Sequence, residues 1–133
     1  MITIDGRAIA PEAPTYFVAD IAANHDGSLD RAKALIRLAK EAGAEAAKFQ
    51  HFTARTIVSD VGFRRLGRRL SPPSGWQQEV YDVYDAASVP EDWTTALRDE
   101  CERVGITFFS APYSLEAIRT LSPLMPAIKI GSG

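Results

Sequence analysis

Two lysines stand inside apolar, strand-like runs, each at the downstream end of its run: Lys48 in AEAAKFQ and Lys129 in PAIKIGSG. A strand flanked by Ala, Phe and Ile reads as one buried on both faces of an α/β sheet. Lysine is rarely fully buried unless it is paired. An ammonium at the carboxyl end of such a strand is therefore a candidate ligand for an anion. The plain alternative is that each lysine snorkels past the strand end into solvent. Two lysines in equivalent places, the second followed by Gly131-Ser132-Gly133, weigh toward a phosphate or carboxylate site.

The elements that would position them follow from the pattern. Phe17–Asn24 reads as a short strand that leaves into a polar turn, Asn24-His25-Asp26-Gly27. Ser28 is a good helix N-cap, and Ala32, Leu35, Ile36 and Ala39 follow at helical spacing, with Gly43 as the stop. Ala44–Gln50 is the next strand, so the first fifty residues form a βαβ unit with parallel strands. Residues 51–89 are less regular. VGFRRLGRRLSPPSG, rich in Arg, Gly and Pro, reads as a long solvated loop, and Trp76–Ala86 as a short helix. The pattern then resumes. A helix follows Pro90 and ends at Gly105, with Trp93, Leu97, Cys101 and Val104 on one stripe. Ile106–Pro112 is a strand, Ser114 a cap, Leu115–Leu121 a helix, and AIKIGSG a fourth strand with its exit loop.

Strict alternation puts Val18, Asp20 and Ala22, then Ala46, Lys48 and Gln50, then Phe108 and Ser110, then Ala127 and Lys129 on one side. The other side carries Ala19, Ile21, Ala47, Phe49, Ile128 and Ile130, which suits packing against helices. Polar residues thus collect on one face toward the carboxyl ends of the strands. That is where a (β/α)8 barrel keeps its active site. An open doubly wound sheet is the rival architecture and also binds ligands at those ends. No G-x-G-x-x-G or P-loop is present, so nucleotide binding has no support.

Composition excludes several classes. With 46% hydrophobic and 24% charged residues the chain has ordinary globular make-up, enough for one modest domain. A formal net charge of -2 and a pI near 5.7 give no electrostatic reason to expect nucleic acid or an anionic membrane surface. One cysteine, Cys101, rules out an internal disulfide and a cysteine metal cluster, and its place on a helical stripe predicts a packed thiol. No apolar run approaches the roughly 18 residues of a membrane span. The start MITIDGRAIAPEAP lacks a signal-peptide pattern, so a cytoplasmic location is the default expectation.

FVADIAANHDGSLDRAKALIRLAKEAGAEAAKFQ resembles the first βαβ unit of the sialic acid synthase family, the N-acetylneuraminate synthases and their legionaminic and pseudaminic relatives. FFSAPYS and AIKIGSG resemble that family's third and fourth strands, and the similarity runs through nearly the whole chain. The resemblance implies the N-terminal half of a (β/α)8 barrel over residues 1–133, with four parallel strands and helices outside. It implies condensation of phosphoenolpyruvate with an N-acetylated amino sugar and release of phosphate. A divalent metal, Mn or Mg, would polarise the sugar aldehyde, its ligands lying in the second half-barrel.

Carried over by position, Lys48, Lys129 and Ser132 would hold the phosphate and carboxylate of phosphoenolpyruvate. Gln50 would hydrogen-bond the sugar, and Ser110 with the backbone at Ala111 would line the phosphoenolpyruvate pocket. Asp20 stands where the family commonly has the Glu of AEIG, and Ala22 where it has the Gly. That departure shortens the carboxylate by one methylene and crowds the backbone. His25 is read as a turn residue, with a substrate contact as the alternative, and His51 as a pocket-rim residue. The family's metal histidines match neither.

A full barrel takes at least about 200 residues. The resemblance therefore implies a second half-barrel, a C-terminal antifreeze-like domain and a homodimer for the complete enzyme, and inactivity for these 133 residues alone. The competing readings are a non-catalytic fragment with residual anion binding, and a phosphoenolpyruvate aldolase of the deoxy-heptulosonate synthase type. NHDGS and KFQ argue against the latter. Alone, the half-barrel would leave Val18, Ala46 and Phe108 wet on an uncovered inner face.

Overall fold

Local signals set the helices. In the computed structural model, which describes residues 2–66 and 79–131, Ser28 caps α1 (Leu29–Glu41), its hydroxyl accepting from the Arg31 amide at 3.2 Å. Ser114 caps α6 (Leu115–Leu121) in the same way through Ala117. Gly105 ends α5 (Trp93–Val104) at φ +70°, a left-handed conformation that costs a side-chain-bearing residue about 1–2 kcal/mol.

Three strands, β3 (Val18–Ala22), β4 (Ala46–His51) and β5 (Thr107–Pro112), form one parallel sheet in that order. Asp20 pairs with Lys48, and Lys48 with Phe109. Helices α1 and α5 pack on one face and on each other. Ile21, Ile36, Phe49, Leu97, Cys101 and Phe108 form the centre of that core. The expected packed thiol is there: Cys101 is buried, and burial pushes its pKa up to about 12. Across the outer surface of this layer Glu100 accepts from Arg37 and Arg103, each at 2.6 Å. These guanidiniums hold its pKa down at about 2.

The amino end of the sheet carries a hairpin in addition to the expected βα repeat. β1 (Ile2–Ile4) and β2 (Arg7–Ile9) pair antiparallel across Asp5-Gly6. Both turn residues are left-handed, at φ +50° and +75°, the geometry of the tight Asp-Gly turn. The Thr107 hydroxyl donates to Asp5 at 2.9 Å, and Arg7 pairs with Glu45 at 2.6 Å. Arg7 also lies over the Tyr16 ring, which stacks on Phe109. The hairpin is thus fastened to the start of both β4 and β5.

Four expectations are corrected. Residues 61–66, expected at the start of the long loop, belong to a helix, α3 (Asp60–Leu66), which follows the short α2 (Ala54–Ile57) and precedes α4 (Val80–Ala86). In α3 an Asp60–Arg64 pair spans one turn, so its arginine serves the helix. Residues 67–78, including Trp76, lie outside the described residues.

The fourth strand is reduced to a single bridge, Ser110 with Ile128, in which the Lys129 amide donates to the Ser110 carbonyl at 3.2 Å. The run follows Pro126, which offers no amide donor, and among the described residues no strand pairs with its outer side.

The third correction concerns faces. Phe108 pairs with Ala47 and Ser110 with Phe49, so both side chains lie on the helix side, and Phe109 and Ala111 occupy the inner one. A run of four apolar or small residues, Phe108 to Ala111, carries no alternation of its own, and its true phase differs from the expected one by one residue. The expected wet inner face holds for Val18, which is 43% exposed, but Ala46 is fully buried.

Lastly, alternation fails at the end of β3. The register shifts between Asp20 and Ala22, and Ala22 pairs with Phe49 at φ +51°. Here the strand kinks into the turn at Asp26-Gly27. The expected crowding at Ala22 is therefore backbone strain, about 1–2 kcal/mol for a Cβ in this conformation. Replacing Ala22→Gly should raise the unfolding free energy by about 1 kcal/mol, net of the extra freedom glycine gives the unfolded chain. Chemical denaturation would measure it, and a loss of stability would contradict the strain.

Candidate functional site

The inner face of the sheet carries the charge. Lys48 is 5% exposed on the central strand, and its Nζ lies 2.7 Å from Asp20 Oδ1. Asp20 itself is 63% exposed at the side chain. The ammonium is desolvated and needs an anion. Its present partner is a wet carboxylate, so the pair is buried at the ammonium and open to water at the carboxylate. An incoming anion could share Lys48 or replace Asp20 on it at little cost.

The remaining predicted residues divide. The Ser110–Ile128 bridge fixes the phase of the last segment, so Ala127 and Lys129 face the Lys48 side. Lys129 sits one row beyond Lys48, level with Gln50 and Ala111, and is exposed. Gln50 donates through Nε2 to the Tyr113 hydroxyl at 3.0 Å. Asp20, Lys48, Gln50 and Lys129 therefore share one face at the carboxyl ends of the strands. Ser132 lies outside the described residues.

Ser110 does not join them. It is fully buried on the opposite face, its Oγ 2.6 Å from His51 Nδ1. His51 Nε2 lies 3.0 Å from Thr94 Oγ1 at the start of α5. His51 is thus not at the rim of the lysine face; it is the middle of a buried relay that ties β4, β5 and α5 together. The same face holds a cavity of about 180 Å³, lined by His51, Phe52, Thr53, Glu91, Thr94 and Ser114 among others. The sheet separates that cavity from the lysines.

His25 keeps the turn role expected of it. It is fully buried, and Nδ1 accepts from the Gly27 amide at 3.1 Å. The neutral ring therefore carries its proton on Nε2, beside the edge of Trp93. Nε2 has no hydrogen bond of normal geometry, although the Ala87 carbonyl is near enough to favour the proton. Burial lowers the pKa of His25. Among the described residues no three His, Cys, Asp or Glu side chains converge on one point. With both His51 nitrogens engaged and His25 locked in its turn, this segment does not fit a metal, and no step is assigned to one here.

Sequence reasoning missed Tyr113 and Thr94. Tyr113 could have been found, since it follows Pro112 directly and the strand exit is where ligand-facing groups gather. Thr94 carried no signal beyond its place in the first turn of α5.

This arrangement, a parallel sheet with outer helices and basic residues at the carboxyl ends, is that of a partial (β/α)8 barrel. The structure of N-acetylneuraminic acid (sialic acid) synthetase from Leptospira borgpetersenii serovar Hardjo-bovis superposes with a TM-score of 0.76 over 97% of this chain and 40% of that one, at 23% identity, which shows the fold. The model of the NeuB family matches residues 35–133, and the chain belongs to that family. It is 34% identical over 121 residues to pseudaminic acid synthase of Campylobacter jejuni, covering 88% of this chain and 34% of that protein. It is 32% identical over 129 residues to N-acetylneuraminate-9-phosphate synthase of Homo sapiens, covering 96% and 35%. The chain spans about a third of the length of these relatives. No helix among the described residues is long and apolar enough to cross a membrane.

The buried relay has a pH signature. Burial, reinforced by nearby His25, holds the His51 pKa at about 4, below the ordinary 6.5. The unfolded chain binds this proton more readily than the fold does. His51 therefore contributes stability fully above pH 6.5, and the contribution is lost as pH falls toward 4. Denaturation at pH 7 and at pH 4.5 should show a drop that is smaller in His51→Gln. An equal drop in both proteins would place the titration elsewhere.

Proposed function

We propose that the chain is the barrel-forming N-terminal part of a synthase that condenses phosphoenolpyruvate with an N-acetylmannosamine-like amino sugar, giving a nonulosonic acid and phosphate. The observation that carries this is the desolvated Lys48 ammonium, paired among the described residues with a solvated carboxylate, on a face it shares with Lys129 and Gln50. Membership of the NeuB family supports it.

In this reading Lys48 and Lys129 hold the phosphate and carboxylate of phosphoenolpyruvate. Two ammonium groups meet a small, multiply charged anion in a partly dry site, where charge-assisted hydrogen bonds are strongest. Ser132 would add a hydroxyl. C3 of the enol attacks the sugar aldehyde, water adds at C2, and phosphate leaves with cleavage of its C–O bond. Asp20 lies next to Lys48, where it sets the ammonium's position before substrate arrives and takes up its charge after phosphate leaves. Gln50 contacts the sugar.

A divalent metal, Mn or Mg, would polarise the aldehyde in the complete enzyme, held by residues other than those described. The complete protein is proposed to be a cytoplasmic homodimer. Its second half-barrel and antifreeze-like domain would supply the rest of the site, and residues 1–133 alone would be inactive. The deoxy-heptulosonate type of aldolase is disfavoured by NHDGS and KFQ. A non-catalytic segment with residual anion binding is the outcome if the complete gene product fails to turn over.

The test is phosphate release by the complete gene product from phosphoenolpyruvate with a panel of N-acetylated amino sugars. Lys129→Met should raise the KM for phosphoenolpyruvate and lower kcat. Loss of one charge-assisted contact would cost about 10- to 100-fold in kcat/KM. Asp20→Ala should depress activity more than it depresses Tm. An unchanged kcat/KM in Lys129→Met would remove that residue from the site, and sugar-independent phosphate release would remove the reaction.

A further inference from the structure

The proposed sugar ligand, Gln50, is not free to turn. Its Nε2 donates to the Tyr113 hydroxyl at 3.0 Å across 63 residues of sequence. Tyr113 is fixed in turn from several sides. Its amide donates to the His51 carbonyl at 3.0 Å, extending the β4–β5 ladder past Pro112. Its ring meets the edge of Phe52 at 5.8 Å between centroids, and Phe52 meets Tyr84 of α4 at the same distance.

The far side of the phenol is set by Gly131. A Cβ on Gly131 would lie 2.9 Å from the Tyr113 hydroxyl oxygen and 3.0 Å from Cζ. The Gly131 backbone does not need glycine's left-handed freedom, since its φ is not in the positive region. What excludes a side chain there is the approach of the phenol. Gly131 follows Lys129 by two residues. Tyr113 therefore touches both the residue proposed for the sugar and the segment that carries the second lysine.

We infer that Tyr113 is a positioning residue that holds the Gln50 carboxamide in place, and with it the contact offered to the amino sugar. This rests on the reading of Gln50 given above. With Nε2 spent on the phenol, Oε1 and one N–H remain. The oxygen is the stronger remaining recognition group, an acceptor for a sugar hydroxyl or the N–H of its N-acetyl group. Without the phenol the carboxamide loses its anchor and can swing about its side-chain torsions away from the sugar. Tyr113 thus acts on the sugar through Gln50 and leaves the phosphoenolpyruvate contacts alone.

The experiment is a double-mutant cycle in the complete gene product, comparing Tyr113→Phe, Gln50→Ala and the pair. A lost neutral hydrogen bond is worth roughly 0.5–1.5 kcal/mol, or about 2- to 13-fold. Tyr113→Phe should raise the sugar KM by a factor in that range and leave the phosphoenolpyruvate KM within about twofold. In the Gln50→Ala background it should do nothing further, because its route to the sugar is gone. Gly131→Ala, which pushes on the phenol while sparing the hydroxyl, should reproduce the direction of the effect.

Independent, additive effects of Tyr113→Phe and Gln50→Ala would overturn the inference. So would an unchanged sugar KM in Tyr113→Phe, or an equal rise in both KM values, which would mark a general structural role. In each of these cases wild-type turnover is intact and the proposed reaction stands. Absence of sugar-dependent turnover in the wild type would overturn the reaction itself, and the role of Tyr113 with it.

Discussion

A lysine on the middle strand of a parallel sheet, almost wholly removed from water, constrains everything around it. Taking an ammonium out of solvent costs several kcal/mol unless an anion meets it. In this chain the anion is Asp20, directly across in the register of β3 and β4. A slip of one residue between these strands would send Lys48 into the apolar core beside Ile36 and Leu97, and Phe49 to the inner face. The pair therefore does more than hold two side chains together. It makes the correct register the one in which the charge is answered, and it points the basic face away from the helices. Because Asp20 is solvated, the same pair can be broken by a ligand without dismantling the sheet.

The helix side of the sheet is built to stay put. Phe49, Phe108 and Leu97 fill it, and the Ser110–His51–Thr94 relay pins the two longer strands to α5. A neutral histidine between two hydroxyls has both nitrogens satisfied, so it adds rigidity to a buried region without leaving a charge there. The two faces of β4 thus have opposite characters. Lys48 and Gln50 are poised toward exchangeable partners, and Phe49 and His51 toward permanent ones.

Much of this was legible in the residues. Ser28, Ser114 and Gly105 marked helix ends because capping chemistry is local, and the structure puts a cap at each. Lys48 was conspicuous because a charge in an apolar run is rare. What failed was phase and pairing. ITFFSAP gives no alternation to count, so Ser110 was placed on the ligand side and lies on the other. The kink at Ala22 is a property of backbone torsion, which side-chain type does not reveal unless a glycine stands there. The last strand was expected from its composition, but a strand exists only with a partner, and Ile128 has one bridge. The hairpin at Asp5-Gly6 was the opposite case. Asp-Gly between short alternating runs is among the strongest local signals for a two-residue turn, and it stands outside the βα repeat that sets the rest of the pattern.

That hairpin also bears on the order in which the chain assembles. Its own turn is local and can close in about 1–10 μs. Its fastening is not, since the Asp5–Thr107 contact joins residues 102 apart. The loop entropy of such a contact is met only once β5 lies beside β4. The hairpin is thus made before the strand that fastens it and is among the last parts of this segment to find its place. Two strands of three residues are marginal alone, so the hairpin settles only when α1, α5 and the central strands have gathered and β5 is there to hold it.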